Sequence, residues 1–383
     1  CLKTIVSKKL FLFATYSPDG KYIAVLEREN EYSYDLDPNS IIVYNSDNYK
    51  VKRVFTKDYI EQYLVFTNDG NAILLPYYES EILDIETGDT IIKIKTDPES
   101  RDLCFSPDGE KIMGYSAWII GPTGDNYKTI KIWNAETGDE IKTLYGHSGF
   151  VYSARFSHNG SKVVSISQDM TIRLWDIDEI DKSDVLIRSN ERMYEAKINP
   201  ELGFATNSDE GCIKIWDIGS GKETNRLSYD KYCTDVVFTP DGKRIIASLF
   251  SLEYVANSNS NYVVNLGDGP FNADRKIVTH LNTYDIDSGC LVKSLIDSVE
   301  YSHLKISPDG KKLIFKASKE IRLMDIETDS VLWSVELSDS YWNFHVFFAF
   351  SPDCERVAIT PDFLAVKILD ANTGIELMEC EGK

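Results

Sequence analysis

Few side chains in this sequence are of a type and spacing that could run a reaction. The five histidines, His147, His158, His280, His303 and His345, are scattered along the chain, whereas a general base needs its partner within hydrogen-bond reach. His158 falls inside a short polar turn, Ser157-His-Asn-Gly160. The sequence contains no HExxH, no phosphate-cradling loop, no GxSxG and no GxGxxG. Asp35-Leu-Asp37-Pro-Asn39 begins like a calcium loop but lacks the glycine and the closing glutamate, so a solvated acidic loop is the default reading. The seven cysteines are odd in number and lack a CxxC pair, which signals neither a disulfide framework nor zinc and points to a reducing compartment. The chain is therefore read as a non-enzyme without metal or cofactor.

What remains is the chemistry of recognition. Tyr32 and Tyr34 lie among Glu27, Glu29, Glu31, Asp35 and Asp37, a pattern suited to a cationic side chain through charge and cation–π contact. The plainer alternative there is a flexible acidic hairpin. Trp118-Ile119-Ile120, with Tyr127 shortly after, is apolar enough to need a cover. That cover is either a partner or the aromatic stretch carrying Tyr254, Tyr262 and Phe271.

The elements that must position these groups repeat. A strand-then-turn phrase recurs as Tyr16-Ser-Pro-Asp-Gly20, Phe66-Thr-Asn-Asp-Gly70, Phe105-Ser-Pro-Asp-Gly109, Phe156-Ser-His-Asn-Gly160, Ile198-Asn-Pro200, Phe238-Thr-Pro-Asp-Gly242, Ile306-Ser-Pro-Asp-Gly310 and Phe350-Ser-Pro-Asp-Cys354. Pro and Asp preset a tight turn and Gly takes the positive φ, so each phrase is a hairpin turn. A second phrase follows each one, such as Ile132-Trp-Asn134, Leu174-Trp-Asp176 or Ile215-Trp-Asp217, and in most copies a turn like Glu136-Thr-Gly138 comes next. Each unit thus has four strands, a to d. Units of this kind arranged radially make propeller blades. The expected fold is all-β: a single eight-bladed β-propeller of four-stranded antiparallel blades over residues 1–383, with blades starting near Phe11, Ile60, Arg101, Val151, Tyr194, Thr234, Ser302 and Val346. Residues 1–6 resemble a d strand and are left over as a spare outer strand.

These phrases resemble the WD-repeat family over essentially the whole chain. The fullest copy runs from Gly146-His147 through Ser167-Gln-Asp169 to Leu174-Trp175-Asp176. In that family a His, a Ser, an Asp and a Trp form a hydrogen-bonded structural relay, and the resemblance assigns it to His147, Ser167, Asp169 and Trp175. The other copies depart from the pattern: there is no second Gly-His, and the fifth has Glu210 where Asp169 would align. The resemblance also implies peptide binding at the mouth of the central channel, four residues before the end of strand a. Those positions are Leu12, Gln62, Arg101, Tyr152, Tyr194, Thr234, Ser302 and Val346. Arg101, Tyr152 and Tyr194 fall on consecutive blades and make the expected hot spot.

The a–b and most c–d turns are short, so one face is trimmed. The b–c connections Glu27–Ser40, Tyr115–Thr129 and about Phe250–Leu281 are long and lie on the opposite face, the expected binding side. The formal charge is −20, from 61 acidic against 41 basic residues. The excess either serves solubility alone or suits a basic protein or peptide as partner, with nucleic acid excluded by repulsion. No apolar run is long enough to span a membrane. The function expected is a non-catalytic interaction scaffold, cytoplasmic and part of a larger polypeptide or complex. The alternative is an extracytoplasmic propeller with a ligand-binding or enzymatic role, lipid-anchored through Cys1.

Overall fold

The computed structural model describes residues 3–7, 10–28, 39–57, 63–76, 79–96, 100–116, 128–178, 183–188, 195–199, 204–209, 212–217, 222–228, 232–256, 273–297, 301–337, 346–362 and 365–382. Among these, seven blades are four-stranded sheets in the order a-b-c-d, antiparallel throughout. They are closed by one further sheet of five strands. The expectation of eight four-stranded antiparallel blades is corrected accordingly. In the closing sheet, Phe348–Phe350, Arg356–Asp362, Ala365–Asp370 and Glu376–Gly382 take positions a to d, and Lys3–Ser7 adds outside them. That fifth strand runs parallel to Glu376–Gly382, with Lys3 beside Met378 and Ser7 beside Gly382. The physical reason is that two segments have d-strand character, while an inner strand offers only one free edge.

The a strands surround the axis and are tied to one another. The Tyr63 hydroxyl accepts the Leu103 amide at 3.0 Å, and Asp235 accepts the Leu304 amide at 2.7 Å. Apolar side chains on both sheet faces fill the wedges between units. Met113 and Ile132 of the third blade pack with Val151 and Trp175 of the fourth. Phe11 and Tyr44 of the first pack with Ala349 and Val366 of the closing sheet, so the ring is shut. Large rings such as Tyr44, Trp133 and Phe315 are fully buried, each worth about 1.5–3 kcal/mol of removed apolar surface.

The two turn families use their polar residues internally. In Ser17-Pro-Asp-Gly20, the Ser17 hydroxyl donates to Asp19 at 2.7 Å and accepts the Tyr22 amide at 3.0 Å. Gly20 sits at φ 74°, a conformation that only glycine adopts without strain. At the c–d turns the Asp or Asn of the second phrase accepts backbone amides, as Asn134 does from Glu136 and Thr137 at 2.8 Å. Part of the acidic excess is therefore turn architecture.

A further tie joins the blades at the rim, and sequence reading missed it. A long side chain on strand d reaches the carbonyls of the next unit's c–d corner. Arg53 donates to Ile85 O at 3.1 Å and also to Glu86 O. Lys142 donates to Asp176 O and Ile177 O at 3.1 and 2.8 Å. Asn225 donates to Ile286 O at 2.9 Å, and Lys293 to Ile326 O. At the ring seam an arginine on strand b does the work: Arg356 donates to Ser46 O at 2.6 Å. The residue types differ from copy to copy, which hides the position from a motif search.

The insert of the sixth blade is also corrected. Much of Phe250–Leu281 is not loop: strands b and c there are 13 residues each, Arg244–Ala256 and Ala273–Asp285, paired along their full length. Runs such as Leu252-Glu-Tyr-Val255 and Lys276-Ile-Val278 alternate enough to continue the hairpin beyond the blade.

Candidate binding face

The fourth blade is the best-defined part of the face that carries the b–c connections. Its strands are Val151–Phe156, Lys162–Ser167, Thr171–Asp176 and Ser183–Arg188. Alternating Val163, Ile166, Ile172 and Trp175 bury both faces of the sheet. The connection into strand a, residues 145–150, and the b–c turn, residues 168–170, both emerge at the same end of this blade.

A buried polar network fastens the two together. His147 Nδ1 lies 2.9 Å from Asp169 Oδ2, and His147 Nε2 lies 2.7 Å from the Ser165 hydroxyl. Trp175 Nε1 donates to the same Ser165 oxygen at 2.7 Å. Asp169 also accepts the Thr171 hydroxyl at 2.6 Å and the Ser148 amide at 2.8 Å. The relay therefore runs through Ser165, and its assignment to Ser167 is corrected. Ser167 instead closes the turn, donating to Gly149 O and accepting the Asp169 amide. The reason is sheet geometry: Ser165 lies across from Arg173, two residues before Trp175, where its hydroxyl meets the indole edge. Burial alone would raise the Asp169 pKa, but its hydrogen bonds from His147, Thr171 and the Ser148 amide outweigh this and hold it well below the usual carboxylate range. Gly146, at φ 148°, leaves room for Arg173, since a Cβ there would come within 2.8 Å of its guanidinium.

The hydrogen-bonding groups of the network are satisfied within it, the arrangement of a structural clamp. What it does is hold the backbone that displays the exposed groups. Tyr145 is 72% exposed, Tyr152 48% and Met170 37%, although most large apolar side chains of this blade are buried. All three stand at the end of the blade that the relay clamps. The Tyr152 carbonyl is also met by the Tyr115 hydroxyl of the third blade at 3.0 Å. Sequence reading singled out Tyr152 but missed Tyr145 and Met170. The available signal was an aromatic directly before Gly146-His147.

The other expected positions divide. Arg101 lies on strand a of the third blade, opposite Tyr115, and Tyr254 lies in the extended hairpin, opposite Arg275. Tyr32, Tyr34, Trp118, Ile119, Tyr127, Tyr194, Tyr262 and Phe271 lie outside the described residues, as does Gln62. Of the remaining mouth positions, Leu12 and Val346 are buried in the core. Thr234 is occupied internally, donating to Tyr301 O of the next blade at 2.8 Å. Asn39 accepts from Arg28 at 3.2 Å. Among the described residues no group of three His, Cys, Asp or Glu is arranged to hold a metal ion. No helix among them is long and apolar enough to cross a membrane.

The third blade shows what happens without the relay. Trp133 is buried at the place equivalent to Trp175, but its Nε1 has no hydrogen-bond partner. The residue that would match Ser165 is Gly114, where a Cβ would meet Leu103 at 2.4 Å.

Residues 138–176, which contain the relay blade, match the family model of the WD domain, G-beta repeat. By this match the blade is a WD repeat, and the chain is similar to WD-repeat proteins. It is 31% identical over 131 residues to the human apoptotic protease-activating factor 1, a match covering 31% of this chain and 10% of that protein. It is 34% identical over 90 residues to a lissencephaly-1 homologue of Paramecium tetraurelia, covering 23% of this chain and 22% of that one. Matches to such curated relatives thus span well under two thirds of their length. In fold it is similar to the C-terminal WD40 domain of Sif2, with a TM-score of 0.64 at 15% identity, covering 94% of this chain and 96% of that one. It is also similar to the computationally designed protein Ika8, with a TM-score of 0.61 at 16% identity and 98% of each chain covered.

Proposed function

We propose that this propeller is a non-catalytic interaction scaffold that binds a basic protein or peptide on the face carrying the long b–c connections. The observation that carries this reading is the set of exposed Tyr145, Tyr152 and Met170 on one end of the fourth blade, held in place by a fully satisfied buried network. Aromatic groups on a rigid backbone bury much area at little entropic cost. The −20 charge of the chain steers a basic partner towards it. The proteins it resembles include WD-repeat chains of very different sizes, consistent with a module that recruits rather than reacts. The setting proposed is cytoplasmic; Cys104, Cys290 and Cys354 are free thiols.

The test is a binding scan of the immobilised chain against matched arrays of lysine/arginine-rich and glutamate-rich peptides at two salt concentrations. Basic peptides are expected to bind, and to weaken with salt. Tyr145→Ala and Tyr152→Ala should each lower affinity by about fivefold or more, the scale of a hot-spot contact. Lys111→Glu and Lys243→Glu, on the trimmed face, should leave it unchanged. Preference for acidic peptides, or sensitivity confined to the two lysines, would refute both the partner class and the face.

A further inference from the structure

The innermost strands bury alternate residues, such as Val236 and Leu304, and leave those that follow them, Val237 and Lys305, more open towards the axis. Two lysines hold the same place on these strands. Lys197 stands one residue before Ile198 of the fifth blade, and Lys305 one residue before Ile306 of the seventh. Lys197 meets a carboxylate on the next blade, Asp235, at 3.4 Å. Asp235 lies three residues before Phe238, and the residue three before Phe350 on the blade after Lys305 is Phe347. Where Lys197 finds a counter-charge, Lys305 finds a ring. We propose that Lys305 is a reactive amine of the central channel, which captures small uncharged aldehydes as a Schiff base.

The surroundings of Lys305 favour the neutral amine. Its Nζ donates to Phe348 O at 3.3 Å, a long bond to an uncharged group. Among the described residues it pairs with no carboxylate, whereas Lys21, Lys52, Lys57, Lys93 and Lys293 all do. The sixth blade presents Val237 and Asp235, but Asp235 is engaged by Lys197 and by the Val236 and Leu304 amides. On its own strand the nearest titratable group is His303, which meets the Ser302 hydroxyl. Strand b of its blade carries Lys312, which donates to Cys354 O, and Lys316, which lies across from Ser302. Further positive charge disfavours another ammonium. Protein surrounds the amine while the side chain stays open to the channel, and this desolvation lowers its pKa from the ordinary lysine value. A larger share of Lys305 is therefore neutral near pH 7 than of a lysine on the outer surface.

A neutral amine carries the lone pair that an ammonium lacks. Its nitrogen attacks the carbonyl carbon of the aldehyde and gives a carbinolamine. Water then leaves, made of the carbonyl oxygen and the two amine protons, and a C=N bond remains. The step needs no oxidant or reductant, and water reverses it. Phe13 and Phe347, both partly exposed on the inner strands with ring centres 5.4 Å apart, suit an aldehyde without charge.

Reductive trapping on the folded chain tests this. Acetaldehyde with cyanoborohydride converts each imine to a stable N-ethyl amine, and mass spectrometry of the digested chain ranks the lysines. Exposed Lys243 and Lys311 of the trimmed face serve as references. Near pH 7 Lys305 should be labelled about fivefold faster than either, or more, and the ratio should narrow by about pH 9.5, where ordinary lysines also begin to lose their proton. Phe347→Asp supplies the carboxylate that Lys197 has, and should bring Lys305 down to the reference rate. Phe347→Asn, equal in shape but uncharged, should keep the preference, with the two variants compared at equal circular dichroism. The proposal is overturned if Lys305 is labelled no faster than the references at neutral pH. It is overturned too if the ratio does not narrow as the pH rises, or if the asparagine removes the preference as fully as the aspartate.

Discussion

Replacing Ser165 with alanine removes one oxygen on which two buried groups depend. Ser165 is fully buried, and its hydroxyl oxygen lies 2.7 Å from both His147 Nε2 and Trp175 Nε1. With Nδ1–H given to Asp169, the hydroxyl donates to Nε2 and accepts the indole N–H, a tautomer assigned from the network. Ser165→Ala leaves an acceptor and a donor unpaired at about 1–3 kcal/mol each, so about 2–5 kcal/mol in all after partial relaxation. Ser167 is also fully buried, but its partners Gly149 O and the Asp169 amide belong to half-buried residues that water can reach once the hydroxyl is gone, so Ser167→Ala should cost only about 1 kcal/mol. A ring of repeated sheets need not unfold in one step, so the informative assay is native-state hydrogen exchange over Thr171–Asp176 and Val151–Phe156. At about 1.4 kcal/mol per factor of ten, Ser165→Ala should lower protection there by roughly 30- to 3,000-fold, and Ser167→Ala by only about fivefold. A silent Ser165→Ala, or a Ser167→Ala of equal effect, would refute the relay as built from these distances.

Trp175→Phe should cost about 1 kcal/mol more than Trp133→Phe, because only the former gives up an indole hydrogen bond while both leave a similar void; equal shifts in denaturant midpoint would contradict this. Arg53→Met or Lys142→Met should each destabilise the ring by about 1–2 kcal/mol in thermal melts through loss of the inter-blade tie, and no change would show the tie to be incidental. Stability should fall steeply below about pH 4. Turn carboxylates such as Asp69, held down by the Thr67 hydroxyl and the Asn71 amide, and Asp325, held down by the amide and hydroxyl of Thr328, have lowered pKa values when folded. Their charged forms are bound more tightly in the folded chain, so this contribution is complete above the unfolded carboxylate range and is lost as the pH falls through the lowered values. Acid titration of the unfolding free energy should therefore show several protons taken up on unfolding, and a flat profile down to about pH 3 would exclude it.

The sequence by itself determined the repeat. Ser-Pro-Asp-Gly and Glu-Thr-Gly are local instructions, since proline, aspartate and glycine set backbone angles without help from distant residues, and the short apolar runs between them read as strands. The trimmed side followed from the same local chemistry, because the a–b and c–d turns are short. The d-like pattern of the segment that includes the strand Lys3–Ser7 was legible for this reason too.

Tertiary structure decided what depends on neighbours far away in the chain. Ser165 and Ser167 are both serines on one strand, and only the pairing with Arg173 and Trp175 shows which hydroxyl meets the indole. The rim ties use Arg53, Lys142, Asn225 and Lys293 interchangeably, because a carbonyl acceptor asks only for a donor of the right reach. Tyr145 and Met170 became a candidate surface once the relay was seen to clamp the two turns that carry them. The closing sheet took five strands because two segments of like pattern competed for one edge, and a local pattern cannot rank them. Edge pairing is a backbone interaction available to either strand, so its outcome rests on the geometry of the whole ring.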